Sequence, residues 1–222
     1  DGIKREIFDF EVMEYYWKNP MMYAFALDVS IYINRDFAPL EDRLRSITNI
    51  ESEASNIYKY AKLNLADSLA KPFIQTAILM ANGYIYFLEG DLMVAFESVS
   101  NDSLMTEFEV VNSNAITELK AFVAFLENEK LPKAHNRYAL GKAKYQRMLL
   151  DQEGISMSPD EILVKGLEEL KREKELFISA AEIIDQQKTP VEVYQSLQQE
   201  HPSADQLIPG VMENLNTIRN FV

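Results

Sequence analysis

The sequence contains no cysteine, and this absence excludes several kinds of chemistry at once. Disulfide bonds, thiol nucleophiles and thiolate-bound metals all need cysteine. Histidine is scarce as well: His135 and His201 are the two present, and neither belongs to a His-Glu-x-x-His or Glu-x-x-His pattern. We therefore predict no catalytic residue, no metal ligand and no cofactor in this chain, and we reject a ferritin-like metal site for want of its ligands.

Both histidines have structural interpretations. His135 lies between Pro132 and Asn136, where we predict a loop or a helix start and a solvated surface side chain. His201 precedes Pro202 at a predicted helix end, where a cationic imidazole complements the helix dipole.

Long apolar runs and an excess of positive charge are also missing. No stretch of 18 apolar residues occurs, so no segment is predicted to span a membrane. The chain has 22 basic and 35 acidic residues, a formal net charge of −13 at pH 7. Nucleic acids and anionic membrane surfaces both attract Lys and Arg, so we expect neither as a partner.

Glycine is rare, with 7 residues, and no glycine-rich phosphate loop is present. The segment 139–144 contains a Gly-Lys pair but lacks the upstream glycine and the strand of a P-loop. A serine nucleophile would need a partner histidine, and the chain has no local elbow motif for one. The charged segment 168–175 is interpreted as a solvated helix face.

Helical periodicity, in contrast, runs through most of the chain. Apolar residues spaced three or four apart form three stripes that are typical of amphipathic helices. The first stripe predicts one helix of roughly 28 residues, which would be about 42 Å long at a rise of 1.5 Å per residue. The residues of the first stripe are Leu40, Leu44, Ile47, Ile50, Ala54, Ile57, Ala61 and Leu65. The second stripe contains Leu163, Leu167, Leu170, Phe177, Ala181 and Ile184. The third stripe contains Ile116, Leu119, Phe122, Val123 and Leu126.

Helix starts and stops are marked by capping boxes and by proline or glycine. Three capping boxes begin at Ser158, Thr189 and Ser203, each with Glu or Gln three residues later. Stops are predicted at Asn19-Pro20, Lys71-Pro72, Leu131-Pro132, Gly154 and His201-Pro202. The predicted helices are 3–18, 22–34, 39–69, 72–98, 102–129, 136–152, 159–187, 190–200 and 204–222.

These signals predict an all-α fold, an elongated bundle of about eight or nine helices with short loops. We predict a single helical domain over residues 1–222, with a weaker signal for a split near residue 131. Because the chain begins with Asp1 and its last helical pattern runs to Val222 without a stop, we expect a piece of a longer protein.

The best polar candidates for a site surround the break at Phe37-Ala38-Pro39. Tyr32, Arg35, Asp36 and Arg43 lie there among many aromatic residues, and charges in such surroundings are expected to be paired or to line a cleft. Arg43 lies one turn into the helix that follows Pro39, so it can reach back toward Asp36. We favour an internal ion pair that holds the loop. A cleft wall is the alternative interpretation.

Aromatic residues are dense in the first ninety positions. Core packing is the first interpretation, and a cleft wall or a domain interface is the second, because Tyr and Trp suit half-wet surfaces. The set comprises Tyr15, Tyr16, Trp17, Tyr23, Phe25, Tyr32, Tyr84, Tyr86 and Phe87.

Several motifs, in order along the whole chain, are similar to those of a known family. They are Asn19-Pro20, Tyr23, the run 28–33, the run 35–43, Pro72-Phe73-Ile74-Gln75-Thr76-Ala77, Ala81-Asn82-Gly83, Leu131-Pro132-Lys133-Ala134, Tyr138-Ala139-Leu140-Gly141-Lys142 with Tyr145, and His201-Pro202-Ser203-Ala204. Together they resemble a large bacterial family of unknown function, number 885 in its series.

Members of that family resemble gluzincin-type zinc metallopeptidases, helical proteins built around a cleft and similar to the thimet oligopeptidase group. Their His-Glu-type catalytic segment lies further downstream than this chain reaches, so the resemblance assigns no catalytic or metal residue here. It implies a helical part of a peptidase-like parent, with zinc in the full-length parent and two partners, the remainder of the parent chain and a peptide substrate.

Two functional hypotheses follow. In the first, the chain is a non-catalytic segment that walls one side of the substrate cleft of the parent. In the second, it is a freestanding helical module that binds peptides or a partner helix in an apolar groove. The sequence downstream of the chain distinguishes them, because only the first requires a His-Glu-type helix there.

Overall fold

The computed structural model describes residues 2–221, and for these it confirms an all-α fold. The described residues form no β-strand, although an isolated parallel bridge joins Ala70 and His135. Two compact units are formed: the first ends at Ser156 and the second begins at Met157. The division therefore lies later in the chain than the split expected near residue 131.

The first unit contains ten α-helices within its described residues, some of them a single turn long. Two π-helical segments, Phe8–Met13 and Leu126–Lys130, and one 3₁₀ turn, Leu131–Lys133, adjoin them. The helices are α1 (Gly2–Ile7), α2 (Tyr15–Lys18), α3 (Met21–Ala24), α4 (Ile31–Asn34), α5 (Leu40–Ser52), α6 (Ala54–Asn64), α7 (Lys71–Glu89), α8 (Asp91–Phe96), α9 (Asp102–Phe125) and α10 (Lys142–Glu153).

Helix α9 is the centre of this unit, since α5, α6 and α7 all pack against it. The third apolar stripe supplies the end of its buried face: Leu119 and Phe122 are fully buried, and so is Leu126 at the start of the π-helix that follows. Phe122 stacks on Tyr58 of α6 with a centroid distance of 5.2 Å. The side chain of Asn101 caps the helix by accepting a hydrogen bond from the Leu104 N–H.

The single long helix predicted over residues 39–69 is wrong, because the chain turns at Glu53 and α6 ends at Asn64. Glu53 keeps right-handed φ and ψ of −83° and −1°, so the break does not interrupt the apolar periodicity. The sequence therefore gives no sign of it. The end of α6 is held from elsewhere: the buried ammonium of Lys130 donates to the carbonyls of Leu65 and Ala66 at 3.2 and 2.9 Å.

Other predicted helices are also shorter than expected. The stretch 22–34 forms only the short α3 and α4, with turns between them, and the stretch 72–98 divides at Gly90 into α7 and α8. The stretch 136–152 becomes helical at Lys142, after Gly141. The stop at Gly154 is present: this residue ends α10 with a left-handed φ of 68°.

The second unit contains α11 (Pro159–Ile184), α12 (Pro190–Leu197) and α13 (Leu207–Phe221). The capping boxes at Ser158 and Thr189 are confirmed, each with both reciprocal hydrogen bonds. The box at Ser203 is wrong. Residues 204–206 form a turn, in which the Gln206 N–H bonds to the Ser203 carbonyl, and α13 begins only at Leu207.

The second apolar stripe lies on α11 and is mostly exposed. Ala181 is buried, but Leu163 is 61% exposed and Phe177 is 43% exposed. Phe177 meets Tyr194 of α12 edge to face at 6.3 Å. Most of the residues of this stripe are therefore exposed, and only Ala181 is buried. None of the described helices is long and apolar enough to cross a membrane.

Candidate functional site

A cavity of about 240 Å³ lies in the first unit, between three segments that are distant in the sequence. One wall comes from residues 12–18, a second from residues 66–73 and a third from residues 135–144. The apolar part of its lining includes Val12, Met13, Leu69, Phe73 and Leu140. A concave, mostly apolar pocket with a few polar groups is the usual form of a ligand site.

The first wall carries the backbone strain of the unit. The π-helix Phe8–Met13 ends at Glu14, whose φ of 53° and ψ of 45° are left-handed, and α2 begins at the next residue, Tyr15. Glu14 is the one non-glycine residue with positive φ in the described chain. Single-turn π segments and strained residues both occur often at functional sites, which favours this wall as part of one.

The second and third walls are joined by backbone hydrogen bonds. The Lys71 N–H donates to the His135 carbonyl at 2.8 Å, and the His135 N–H donates to the Leu69 carbonyl at 3.0 Å. The Ser68 hydroxyl adds a bond of 2.7 Å to the Lys133 carbonyl. The first wall is tied in at Ala66, whose N–H donates to the Trp17 carbonyl at 2.9 Å. The cavity is thus framed by main chain and is pre-formed.

His135 is a half-buried residue of this cavity and not the solvated surface side chain that we predicted. Its Nδ1 accepts a hydrogen bond from the Arg137 N–H at 3.2 Å. An acceptor Nδ1 places the proton of the neutral ring on Nε2. The imidazole therefore has a donor available at Nε2. His201 lies exposed beyond the end of α12.

The charged lining of the cavity is entirely basic. Lys18, Arg137 and Lys144 line it, and no Asp or Glu does. Lys18 pairs with Glu14 at the rim, and this bond, more than any other contact, holds the pKa of Glu14 below its usual range. Lys144 donates to the Val12 carbonyl at 3.4 Å. Basic side chains grouped around a cavity attract anions.

Tyr15 also lines the cavity and is half-buried. Burial, and next the nearby charge of Asp9, raise the pKa of its hydroxyl, so Tyr15 stays a neutral hydrogen-bonding group at physiological pH. The aromatic residues of the first ninety positions therefore divide between the two interpretations. Tyr23 and Tyr84 are core residues, whereas Tyr15 is a wall of the cavity.

The predicted polar cluster lies elsewhere, because Tyr32, Arg35, Asp36 and Arg43 do not line this cavity. The structure does bring them together. The Arg43 guanidinium donates to the carbonyls of Tyr32 and Arg35 at 2.8 and 3.2 Å, and to Asp36 Oδ1 at 3.1 Å. Arg43 is 10% exposed and Asp36 is 91% exposed, so the buried partner is the arginine. The role of this cluster as a cleft wall stays a prediction.

The sequence reasoning missed Lys18, Arg137 and Lys144 because these residues meet only through the fold. One local signal was available: three basic residues, Arg137, Lys142 and Lys144, lie within eight positions around Gly141. Gly141 has a φ of 78° and a ψ of 158°, a conformation that is essentially restricted to glycine. This conformation sets the path of the chain between Leu140 and Lys144. Among residues 2–221 no cluster of three His, Asp or Glu side chains could hold a metal ion.

Replacing Glu14 by glycine is expected to raise the thermal midpoint by about 2–4 °C, because glycine adopts the left-handed conformation without a Cβ penalty. The lost bond to Lys18 is exposed and contributes little. Glu11→Gly is the matched control, since Glu11 lies within the π-helix and has no positive φ. It is expected to lower the midpoint by a similar amount. A lower midpoint for Glu14→Gly in a thermal melt would contradict backbone strain at this residue.

Among comparisons with known proteins, a family model matches nearly the whole chain. The family model described as bacterial protein of unknown function (DUF885) matches residues 2–222. No curated protein matches the sequence, and no solved structure matches the chain.

Proposed function

Because the chain belongs to this bacterial family of unknown function, we propose that it is a non-catalytic, peptide-binding segment of a zinc metallopeptidase-like protein. In the full-length parent it would wall one side of the substrate cleft. The proposal builds on the resemblance of the family to gluzincin-type peptidases. The observation that carries it is the cavity between residues 12–18 and 135–144, with its apolar and tyrosine walls and its basic edge.

The contents of the cavity favour a peptide as the ligand. Phe73, Met13 and Leu140 offer apolar surface for a side chain, while Tyr15 and the Nε2 of His135 offer hydrogen-bonding groups. At about 240 Å³ the cavity lies just below the usual range of roughly 300–1,000 Å³ for sites that enclose whole small ligands. It therefore suits one or two residues of a longer ligand that continues outside it.

In this proposal, zinc would be bound by the rest of the parent protein and not by this chain. The described residues offer no group of three ligands that fits the ion, and no step of the proposal passes through the metal. The chain binds and orients a peptide here and does not cleave it. Peptides recovered intact by mass spectrometry after incubation with the chain are the expected result.

Peptide binding is expected to change the fluorescence of Trp17, the single tryptophan of the chain. Trp17 directly precedes Lys18, which lines the cavity. Short peptides are expected to cause a saturable change. Ala139→Phe, which places a ring in the cavity from an exposed position, is expected to abolish it. Ala121→Phe, an exposed position on α9 away from the cavity, is the matched control and is expected to bind normally. No saturable change with the unmodified chain would contradict the proposal.

A freestanding binding module is the second candidate, and one observation favours it. The apolar stripe of α11, from Leu163 to Phe177, is exposed and offers a face for a partner helix. The two candidates differ in the sequence downstream of the chain, since the peptidase-like parent requires a His-Glu-type helix there. A parent gene without that helix would favour the module.

A further inference from the structure

We propose that the basic edge of the cavity is a carboxylate subsite, in which Arg137 and Lys144 hold a carboxylate of the bound peptide. This inference rests on the proposed function and adds the chemical class of ligand that the cavity selects. The group bound is a carboxylate, whether it is the C-terminal carboxylate of a peptide or that of an Asp or Glu side chain.

The distribution of charge is the first argument. The chain has 35 acidic and 22 basic residues, so a cavity lined by basic residues and by no acidic ones departs from the rest of the molecule. Such a site attracts anions against the general field of the chain. A cavity that served only apolar side chains would not need this charge.

The partners of each basic group form the second argument. Lys18 is already compensated by Glu14. The ammonium of Lys144 bonds to the neutral Val12 carbonyl at 3.4 Å and lies within electrostatic reach of Glu14, whose carboxylate is already paired with Lys18. The guanidinium of Arg137 makes no hydrogen bond or ion pair with any residue that the structure describes, and it is exposed at the cavity edge. The single carboxylate of Glu14 therefore leaves the positive charges of Lys18, Lys144 and Arg137 in excess around this space.

The geometry of the donors selects a carboxylate. A guanidinium presents its N–H groups as a fork that matches the two oxygens of a carboxylate, and the ammonium adds a point charge. The neighbouring lining is apolar, with Leu69, Phe73 and Leu140. This combination suits an anionic group attached to an apolar body, as at the C-terminal residue of a peptide that ends in leucine.

The test compares three acetylated tripeptides by isothermal titration calorimetry and Trp17 fluorescence at low salt. The first, acetyl-Ala-Ala-Leu, carries a free C-terminal carboxylate. The second is its C-terminal amide and carries no charge. The third, acetyl-Ala-Glu-Leu amide, carries only a side-chain carboxylate. We expect at least one of the two carboxylate probes to bind about tenfold to a hundredfold more tightly than the neutral amide, and which of them does so identifies the source of the carboxylate.

The matched variants are Arg137→Gln and Arg45→Gln. Both arginines are exposed, and Arg45 lies outside the cavity. Arg137→Gln is expected to remove most of the preference for the carboxylate probes over the neutral amide. Arg45→Gln is expected to keep the preference. Unchanged circular dichroism spectra and thermal midpoints exclude a folding defect in either variant.

The outcomes separate this inference from the proposed function. Equal binding of all three probes would overturn the carboxylate subsite and leave peptide binding in place. A preference that survives in Arg137→Gln, or that is lost equally in Arg45→Gln, would also overturn it. No binding of any probe would overturn the proposed function itself, and the subsite with it.

Discussion

Replacing Arg43 by alanine is expected to lower the free energy of unfolding by about 2–4 kcal/mol. The guanidinium is almost fully buried and donates to two main-chain carbonyls, those of Tyr32 and Arg35. These carbonyls lie in and just after α4, so Arg43 ties the end of that helix to α5. Without the arginine the carbonyls lose charged donors, and a cavity replaces its side chain.

The exposed partner of the pair provides the contrast. Asp36→Asn is expected to cost less than about 1 kcal/mol, because the carboxylate is 91% exposed and solvent screens the interaction. Urea unfolding followed by circular dichroism measures both variants. Equal losses in Arg43→Ala and Asp36→Asn would show that the ion pair, and not the bonds to the main chain, holds the loop.

This contrast corrects the argument from sequence in one respect. The sequence placed Arg43 within reach of Asp36, and the contact is present at 3.1 Å. An internal ion pair was expected to hold the loop, but only one of its two members is buried. Sequence gives the spacing of two charges along a helix and a loop, whereas burial depends on which other elements cover each of them. The arginine is covered and the aspartate is not.

Helix starts were predictable where the signal is local. The capping boxes that begin at Ser158 and Thr189 each span four consecutive residues, and both form as expected. The third, at Ser203, failed although its pattern is the same, since the turn at residues 204–206 delays α13 to Leu207. A capping box satisfies its own donors, but it does not decide alone where the helix begins.

The cavity was not predictable, because it depends on contacts between distant segments. Tyr15 and Lys18 line the same cavity as His135 and Arg137 because the main chain of residues 69–71 pairs with His135. Neither segment has a chemical motif of its own. The resemblance to the family covered the segment 138–142 but assigned it no role.

The buried faces of α5 and α6 show a second reason why the core could be predicted only in part from the sequence. The apolar stripe was chosen by residue type and included Ile50 and Ile57, which are only half-buried. The face that is buried instead contains Glu51 and Tyr58, both fully inaccessible to solvent. The positions follow the same helical spacing, so the period was correct. A glutamate was left out of the predicted core because ionised carboxylates are rarely buried without a partner.

Glu51 is such an exception, and it makes the stability of the protein depend on pH. Its side chain is 0% exposed, and neither carboxylate oxygen has a hydrogen-bond partner among the described residues. Burial raises the pKa of Glu51 to about 8, from 4.5 for the unperturbed group. The carboxyl group is therefore mostly neutral in the folded protein at pH 7 and ionised in the unfolded chain.

The direction of the pH dependence follows from this raised pKa. Below about pH 4.5 both states bind the proton, and Glu51 adds no penalty. Between about pH 4.5 and 8 only the folded state keeps the proton, so stability falls by about 1.4 kcal/mol per pH unit as the pH rises. Above about pH 8 both states are ionised, and the loss levels off.

Glu51→Gln is expected to remove this dependence and to stabilise the protein at neutral and alkaline pH. Relative to the unmodified chain, its advantage is expected to grow by about 3–5 kcal/mol between pH 5 and pH 8. The other buried ionisable groups near it do not titrate in this window. Tyr84, whose hydroxyl bonds to the Leu27 carbonyl and to the Val29 N–H, has a pKa raised mainly by burial and further by the charge of Glu51.

Glu53→Gln is the matched control, because Glu53 lies two residues away at the exposed turn between α5 and α6. Urea unfolding of the three proteins at several pH values between about 5 and 9 gives the free energy of unfolding for each. The difference between Glu53→Gln and the unmodified chain is expected to stay constant. If the difference for Glu51→Gln is equally constant, the carboxylate is ionised in the folded protein, and a partner must compensate its charge. If it grows and then levels near pH 8, a single buried proton on Glu51 accounts for the pH dependence.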